Sequence, residues 1–391
     1  MLSEWMLDQS CMYLNHATVG APPRRVIEAQ RAIMDEIEAQ PARFLLRELA
    51  DITSAAADVP SRMRLAAAAI AEFVGVDQRD LAFVDNATAG ANAVLRSFPF
   101  VVGDEIVVTD LGYRGVTNAV VFAARERRAT VRTLAMPHGS AGPQAFVDAI
   151  EAGLTDRSRI LVIDHIAAET ALILPVAEIA RVAHERGVLV LADGAHGPGS
   201  IPLDISSLGV DWYSGNLHKW AWTPRSAGIL WCSPEQQRHL HPTVISWGLD
   251  NGMAAEFDLT GTRDPSPWLT APAALAMLHE FGFERVCAYN HDLAWRTAHH
   301  LADRWGTEFT IPESMVPTMV TVPATAANGF TDADAQALKD RLLFDDKIEV
   351  AAYAYDGAAV IRVSAQIYND MDDIDRLAEA VLRHRPARPG P

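Results

Sequence analysis

The sequence predicts an α/β protein built on a doubly wound, mostly parallel sheet, with a smaller C-terminal α+β domain. Three observations carry this expectation. From Leu81 to Trp231, short apolar runs alternate with helical segments of about ten residues, the rhythm of β-α-β crossovers. One run, Gly187-Val188-Leu189-Val190-Leu191-Ala192, is apolar without alternation, which suits a strand covered on both faces. Beyond Pro265-Ser266-Pro267 the composition shifts and strands and helices no longer alternate strictly. The expected divisions are an N-terminal arm over 1–15, a large domain over 16–266, a small domain over 267–385 and a disordered tail over 386–391.

In chain order, Tyr13–Gly20 reads as a short strand entering a turn, and Pro22-Pro23 opens a helix because proline suits a first helical turn. Phe44–Leu49 and the Ala-rich Ser61–Val74 continue as helices. Strands are expected at Leu81–Val84, Glu105–Thr109, Thr130–Leu134, Ile160–Ile163, Val188–Ala192, Trp212–Tyr213 and Ala227–Trp231. Asp85–Asn92 reads as a small-residue turn into a helix ending near Arg96, and helices are expected over Gly115–Arg125, Gln144–Ala152 and Val176–Arg186. The C-terminal part holds a helix over Trp268–Phe281, strands at Met319–Val322, Ile348–Ala354 and Ala359–Ser364, and helices over Asp332–Leu343 and Met371–Arg383.

Composition narrows the function classes. Hydrophobic residues make up 49% and charged residues 21%, as in folded globular chains, and the formal net charge is −17. An acidic chain without a basic stripe is unsuited to nucleic acid and to anionic membrane surfaces. No uninterrupted apolar run reaches membrane-spanning length, and the opening residues lack a basic, apolar leader. Cys11, Cys232 and Cys287 lie far apart with no CxxC pair, which points to a reducing cytoplasm and away from zinc or other metal binding.

The chemistry concentrates in Asp193-Gly194-Ala195-His196 and Ser214-Gly215-Asn216-Leu217-His218-Lys219-Trp220. A lone lysine is ordinarily a surface residue. Here Trp212, Tyr213, Trp220 and Trp222 crowd Lys219, and an amine out of water is a better nucleophile and base. Asp193 either caps a turn or pairs with a protonated ring nitrogen. With Lys219 as a Schiff-base amine, that second reading is the donor set of pyridoxal phosphate. Ala87, Thr88, Ala89 and Gly90 are small enough at a helix start to bring backbone N–H groups to a phosphate, and an Asn86 helix cap explains the same residues. Tyr113 follows the next strand and either stacks on a ring or packs as an ordinary tyrosine. Arg362 sits in an apolar strand, where it meets either an internal carboxylate or that of a substrate. No GxGxxG, GxxxxGK, HExxH or GxSxG pattern competes.

With these residues in place, the chain resembles the class V aminotransferase-like enzymes of fold type I, and within them the isopenicillin N epimerase-like branch. The likeness runs through Phe44–Glu48, Asp85–Asn92, Leu172–Pro175, Asp193–Gly199, His218–Trp220, Ser246-Trp247, Gly261–Asp264, Pro267-Trp268, Arg362–Ser364 and Tyr368-Asn369. It implies that Lys219 forms the Schiff base, Asp193 holds the ring nitrogen, His196 and His165 lie near the ring hydroxyl and Tyr113 stacks on the ring. It further implies a phosphate site from the Ala87 and Thr88 backbone with His218, joined by Gly261 and Thr262 of a second subunit, and hence a homodimer with shared active sites. Arg362 would bind the substrate α-carboxylate, with Asn15, His16 and Arg43 at the entrance.

Three departures stand out. Asn216 replaces the usual serine but still offers a phosphate donor. Ala168 and Glu169 stand where small hydroxyl residues are usual. No cysteine follows Cys287, which argues against persulfide-forming desulfuration. The expected substrate is an amino acid activated at Cα. A cysteine S-conjugate of a secondary metabolite, undergoing C–S β-elimination or oxidative decarboxylation, leads. Epimerisation follows closely, with Tyr213 and Glu169 as candidates for the second acid–base group. Transamination and a non-enzymatic scaffold stay behind these.

Overall fold

The apolar runs pair as their pattern requires in a computed structural model, which describes residues 1–50, 60–327 and 329–384. Its strands are β1 (Met12–Tyr13), β2 (Leu81–Val84), β3 (Glu105–Thr109), β4 (Thr130–Leu134), β5 (Ser158–Asp164), β6 (Leu189–Gly194), β7 (Trp212–Asn216), β8 (Gly228–Cys232), β9 (Met319–Pro323), β10 (Ile348–Glu349), β11 (Ala351–Tyr355) and β12 (Ala358–Ser364). Seven form the main sheet in the order β2-β8-β7-β6-β5-β3-β4. Only β8 runs antiparallel to its neighbours; the other pairings are parallel. Helices cover both faces of the sheet, whose inner strands are buried while the edge strand β4 is mostly exposed. One face packs Ile70, Phe146, Ile179 and Val190, and the other Val94, Val120, Ile160 and Leu191.

A parallel sheet directs its strand C-termini, and its ligand, to one edge. Register aligns Asp164 of β5 with Asp193 of β6, and Asp193 with Ser214 of β7. The acidic end of the apolar run thus lies beside a second acid and beside the strand leading to Lys219.

Several elements differ from the sequence expectation. β7 runs on through Ser214-Gly215-Asn216, residues of poor strand propensity, because the ladder to Gly228–Leu230 and full burial override it. The helix expected over Trp268–Phe281 is two, Ser266–Leu269 and Ala271–Phe281. Pro272 has no N–H to continue the first and suits the opening turn of the second. Ile348–Ala354 divides into β10 and β11: β10 pairs in parallel with β1, whereas β11 joins β12 and β9 in an antiparallel sheet. Sequence reading also left Phe283–Trp305 unassigned, a 23-residue helix. Its Leu293, Ala294, Ala298 and Leu301 back the smaller sheet.

The N-terminal stretch is packed into the fold. Trp5 is 1% exposed, donates its indole N–H to Ala21 O at 2.9 Å, and meets Trp222 edge-on at 5.5 Å. The tail over 386–391 lies outside the described residues. Among the described residues no helix is long and apolar enough to cross a membrane, and no three His, Cys, Asp or Glu side chains gather as a metal site.

Candidate active site

A cavity of about 490 Å³ opens at the C-terminal ends of β2, β5, β6 and β7. Tyr113, Asp164, Asp193, His196, Asn216 and Lys219 all line it.

Lys219 is held at both ends. Its carbonyl accepts from His16 Nε2 at 2.9 Å, and because a carbonyl only accepts, the His16 proton is on Nε2. His16 Nδ1 then accepts from the Tyr368 hydroxyl at 2.9 Å. At the other end Nζ lies 3.2 Å from His196 Nε2, while Trp220 Nε1 donates to His196 Nδ1 at 3.5 Å. That donation assigns the neutral His196 proton to Nε2, facing a neutral Nζ. Burial, reinforced by the Arg362 charge, pulls the Lys219 amine down to about 7. Burial likewise holds His196 well below the ordinary imidazole value.

Only a free-base amine attacks a carbonyl. Capture of added pyridoxal phosphate by the apo-protein is therefore expected to accelerate as pH rises through about 7 and to plateau above it. Stopped-flow absorbance measures this, and a rate still climbing at pH 9.5 would assign an ordinary lysine.

Asp193 Oδ1 accepts from Ala195 N at 3.0 Å, whereas buried Oδ2 has no partner among the described residues. An orphaned buried carboxylate oxygen is costly unless a donor or cation meets it, and a protonated pyridine nitrogen is such a partner. Burial raises the Asp193 carboxyl, and burial plus Asp193 itself raise Asp164 far above the carboxylate range. Asp164 is a lining residue absent from the sequence expectation. Its signal was present, a second acid closing an apolar strand.

The other end of the cavity is built for a small anion. The helix Ala87–Ser97 begins there, with Asn86 Oδ1 capping Ala89 N at 2.9 Å. Ala87 N is already taken by Asn216 Oδ1 at 2.8 Å. Of the two expected backbone donors, then, the Ala87 amide is engaged and the Thr88 amide is free to meet an oxyanion. Accepting at Oδ1 leaves the Asn216 amide N–H₂ as a donor. His218 gives its Nδ1 proton to Ala227 O at 3.1 Å, and burial lowers its pKa to about 4. It becomes a phosphate donor through Nε2 only once an anion draws a second proton to it. Arg225, exposed on the cavity wall, is a cation that sequence reasoning overlooked.

Close approach fixes Gly90 in this helix. A Cβ there would lie 2.1 Å from Ser214 Oγ, which donates to Ala87 O at 2.8 Å. Gly90→Ala is expected to cost about 1–3 kcal/mol of stability and to weaken cofactor retention. Denaturant unfolding with and without cofactor reads both effects.

Arg362 on β12 is 3% exposed and finds only neutral acceptors: Thr18 Oγ1 at 2.7 Å, Asn15 Oδ1 at 3.3 Å and the Ala168 carbonyl. Its Nε has no partner, and among the described residues it forms no ion pair. Thr18 and Ala168 line the cavity. A buried guanidinium without a carboxylate is an open seat for one.

Several expected site residues stand elsewhere. Glu169 is exposed in a neighbouring cleft, because its loop turns away after Ala168. Tyr213 lies wholly buried behind β6, its ring filling the space above Gly194 and Gly197 and its hydroxyl 3.0 Å from His165 Nδ1. His165 faces that hydroxyl and is buried outside the cavity lining. Asn15 and His16 sit beneath the entrance, holding Arg362 and Lys219. Arg43 is exposed and pairs with Glu48 at 2.6 Å, away from the cavity. Gly261 and Thr262 are exposed on this chain and do not line its cavity.

Comparison with known proteins identifies the family. Residues 12–377 match the aminotransferase class-V family. The chain is 31% identical over 392 residues to isopenicillin N epimerase of Streptomyces clavuligerus, covering 96% of this chain and 95% of that protein. It is 27% identical over 398 residues to a probable chloroplastic L-cysteine desulfhydrase of Arabidopsis thaliana, covering 94% and 82%. A cystine C–S lyase solved with its product cysteine persulfide superposes with a TM-score of 0.78 at 23% identity, covering 97% of this chain and 99% of that one. This last likeness is one of fold. The chain belongs to the aminotransferase class-V family and is a pyridoxal-phosphate enzyme of fold type I.

Proposed function

We propose that the protein is a C–S β-lyase acting on a cysteine S-conjugate, R–S–CH₂–CH(NH₃⁺)–COO⁻. Elimination with water yields the thiol RSH, pyruvate and ammonium. When bound, pyridoxal phosphate supplies an electron sink for the pair left at Cα. Lys219, lowered to about 7 so that a large share is free base at neutral pH, takes the Cα proton, and Arg362 holds the α-carboxylate so that the Cα–H bond faces that amine. Asp193 keeps the ring nitrogen protonated, and the Thr88 amide with Asn216 anchors the phosphate.

The observation that carries the choice of reaction is the position of Tyr213 and Glu169. Both candidates for a second acid–base group lie outside the cavity. Elimination needs one base; inversion at Cα needs a proton donor on the opposite face as well. Epimerisation is the second reading, favoured by Tyr113, the phenol that does line the cavity, and by the likeness to isopenicillin N epimerase.

Incubation of S-benzyl-L-cysteine in deuterated water distinguishes the two. Pyruvate with benzyl thiol is the expected result, and recovered D-configured, Cα-deuterated substrate without pyruvate would overturn the lyase reading.

We also propose a homodimer. Val244, Ile245 and Trp247 form an apolar loop, with Trp247 78% exposed, and a second copy covering it would bring Gly261 and Thr262 to the neighbouring phosphate end. Acidic composition and isolated thiols suit a cytoplasmic setting. The division at residue 266 is likewise proposed as a joint between large and small domains.

A further inference from the structure

Glu169 is the sequence departure that the reaction itself leaves unused, and it stands in a second cleft. The loop Leu111–Tyr113 lines this cleft through Leu111 and the catalytic cavity through Tyr113; the next loop contributes Ala168 to the cavity and Glu169 to the cleft. Tyr353 and Thr321 line the cleft beside Arg362: the guanidinium lies 5.7 Å from the Tyr353 ring centroid, and Thr321 is its cross-strand partner. The cleft therefore adjoins the cavity on the side where the α-carboxylate seat lies.

Apart from the His138 imidazole, its titratable side chains are carboxylates and phenols. Tyr353, Tyr355 and Phe309 supply aromatic walls, and Glu169 and Glu308 are exposed carboxylates with no ion pair among the described residues. No lysine or arginine lines it. Thr170 Oγ1, sealed from solvent in the same wall, has no hydrogen-bond partner. Aromatic faces and carboxylates together favour an organic cation, and a chain of net charge −17 draws cations in from a distance.

We propose that this cleft is the side-chain subsite of the substrate and that it selects an S-substituent combining an apolar or aromatic body with a positive charge. The assignment rests on the Cα reading above, because it takes Arg362 as the carboxylate seat. Anionic substituents are excluded by the same carboxylates.

The test uses the holoenzyme and three probes: S-benzyl-L-cysteine, its para-trimethylammonium analogue and its para-carboxylate analogue. Half-saturation of the change in cofactor absorbance is read for each. The cationic probe is expected to bind about tenfold more tightly than the neutral one, and the carboxylate probe most weakly. Glu169→Gln and Glu308→Gln are expected to shrink the cation-to-neutral ratio, and Glu308→Lys to reverse the order of the charged probes. Equal half-saturation for all three, or a cation preference untouched by the three variants, overturns the subsite while leaving the Cα reading intact. No absorbance change with any probe overturns both.

Discussion

Lys219→Ala is expected to leave a folded protein that binds pyridoxal phosphate without a covalent link and turns over S-benzyl-L-cysteine at least about 10²–10⁴-fold more slowly than the parent. The cavity explains why the loss is specific. Asp193 Oδ2, the Thr88 amide and the Asn216 amide remain to hold ring and phosphate, so cofactor still enters. What disappears is the amine that burial and Arg362 keep near pKa 7, and His196, neutral with Nε2 protonated toward that amine, offers no base in its place. Lys219→Arg is expected to be equally inactive, because guanidinium stays protonated across this range. Pyruvate release within tenfold of the parent in either variant would remove Lys219 from the reaction.

Arg362→Ala is the second large effect. Truncating one partner of a buried, hydrogen-bonded charge pair costs about 2–5 kcal/mol, so kcat/KM should fall from about thirtyfold to a few thousandfold. Saturation should move to much higher substrate concentration. A second consequence follows from the cation's place beside the lysine. Without Arg362 the depression of the Lys219 amine relaxes, so the pH midpoint for cofactor capture should rise above about 7. A structural role alone would not move that midpoint. An unchanged KM together with an unchanged midpoint would show that Arg362 serves the fold only.

Much of this architecture was legible because burial writes itself into composition. β2 and β3 match their expected bounds, since apolar runs framed by turns admit few alternatives. Lys219, Asp193 and Arg362 were legible for the converse reason: charged groups in apolar surroundings need a partner. β7 was half hidden because Ser214-Gly215-Asn216 carries no strand signal and owes its conformation to its neighbours. Phe283–Trp305 escaped because charged residues interrupt its apolar stripe, although Val286, Asn290, Leu293, Thr297 and Leu301 recur at helical spacing on the buried side.

Side-chain direction was the harder problem. Glu169 is adjacent to Ala168 in sequence, yet the chain turns between them into a different cleft. Tyr213 is close to Lys219 in the chain, but strand alternation places its ring behind β6, against Gly194. His16 reads as an entrance residue and is in fact a buried strut beneath the Lys219 carbonyl. No spacing rule reports which face of a strand or loop meets the cavity until the pairing register is known.

The chain contains three lysines, Lys219, Lys339 and Lys347, and only Lys219 lines the cavity. Borohydride reduction of the holoenzyme followed by peptide mass spectrometry therefore tests the central claim most directly. A reduced pyridoxyl-phosphate adduct is expected on Lys219 and on neither other lysine. An adduct on Lys339 or Lys347 with Lys219 unmodified would contradict it.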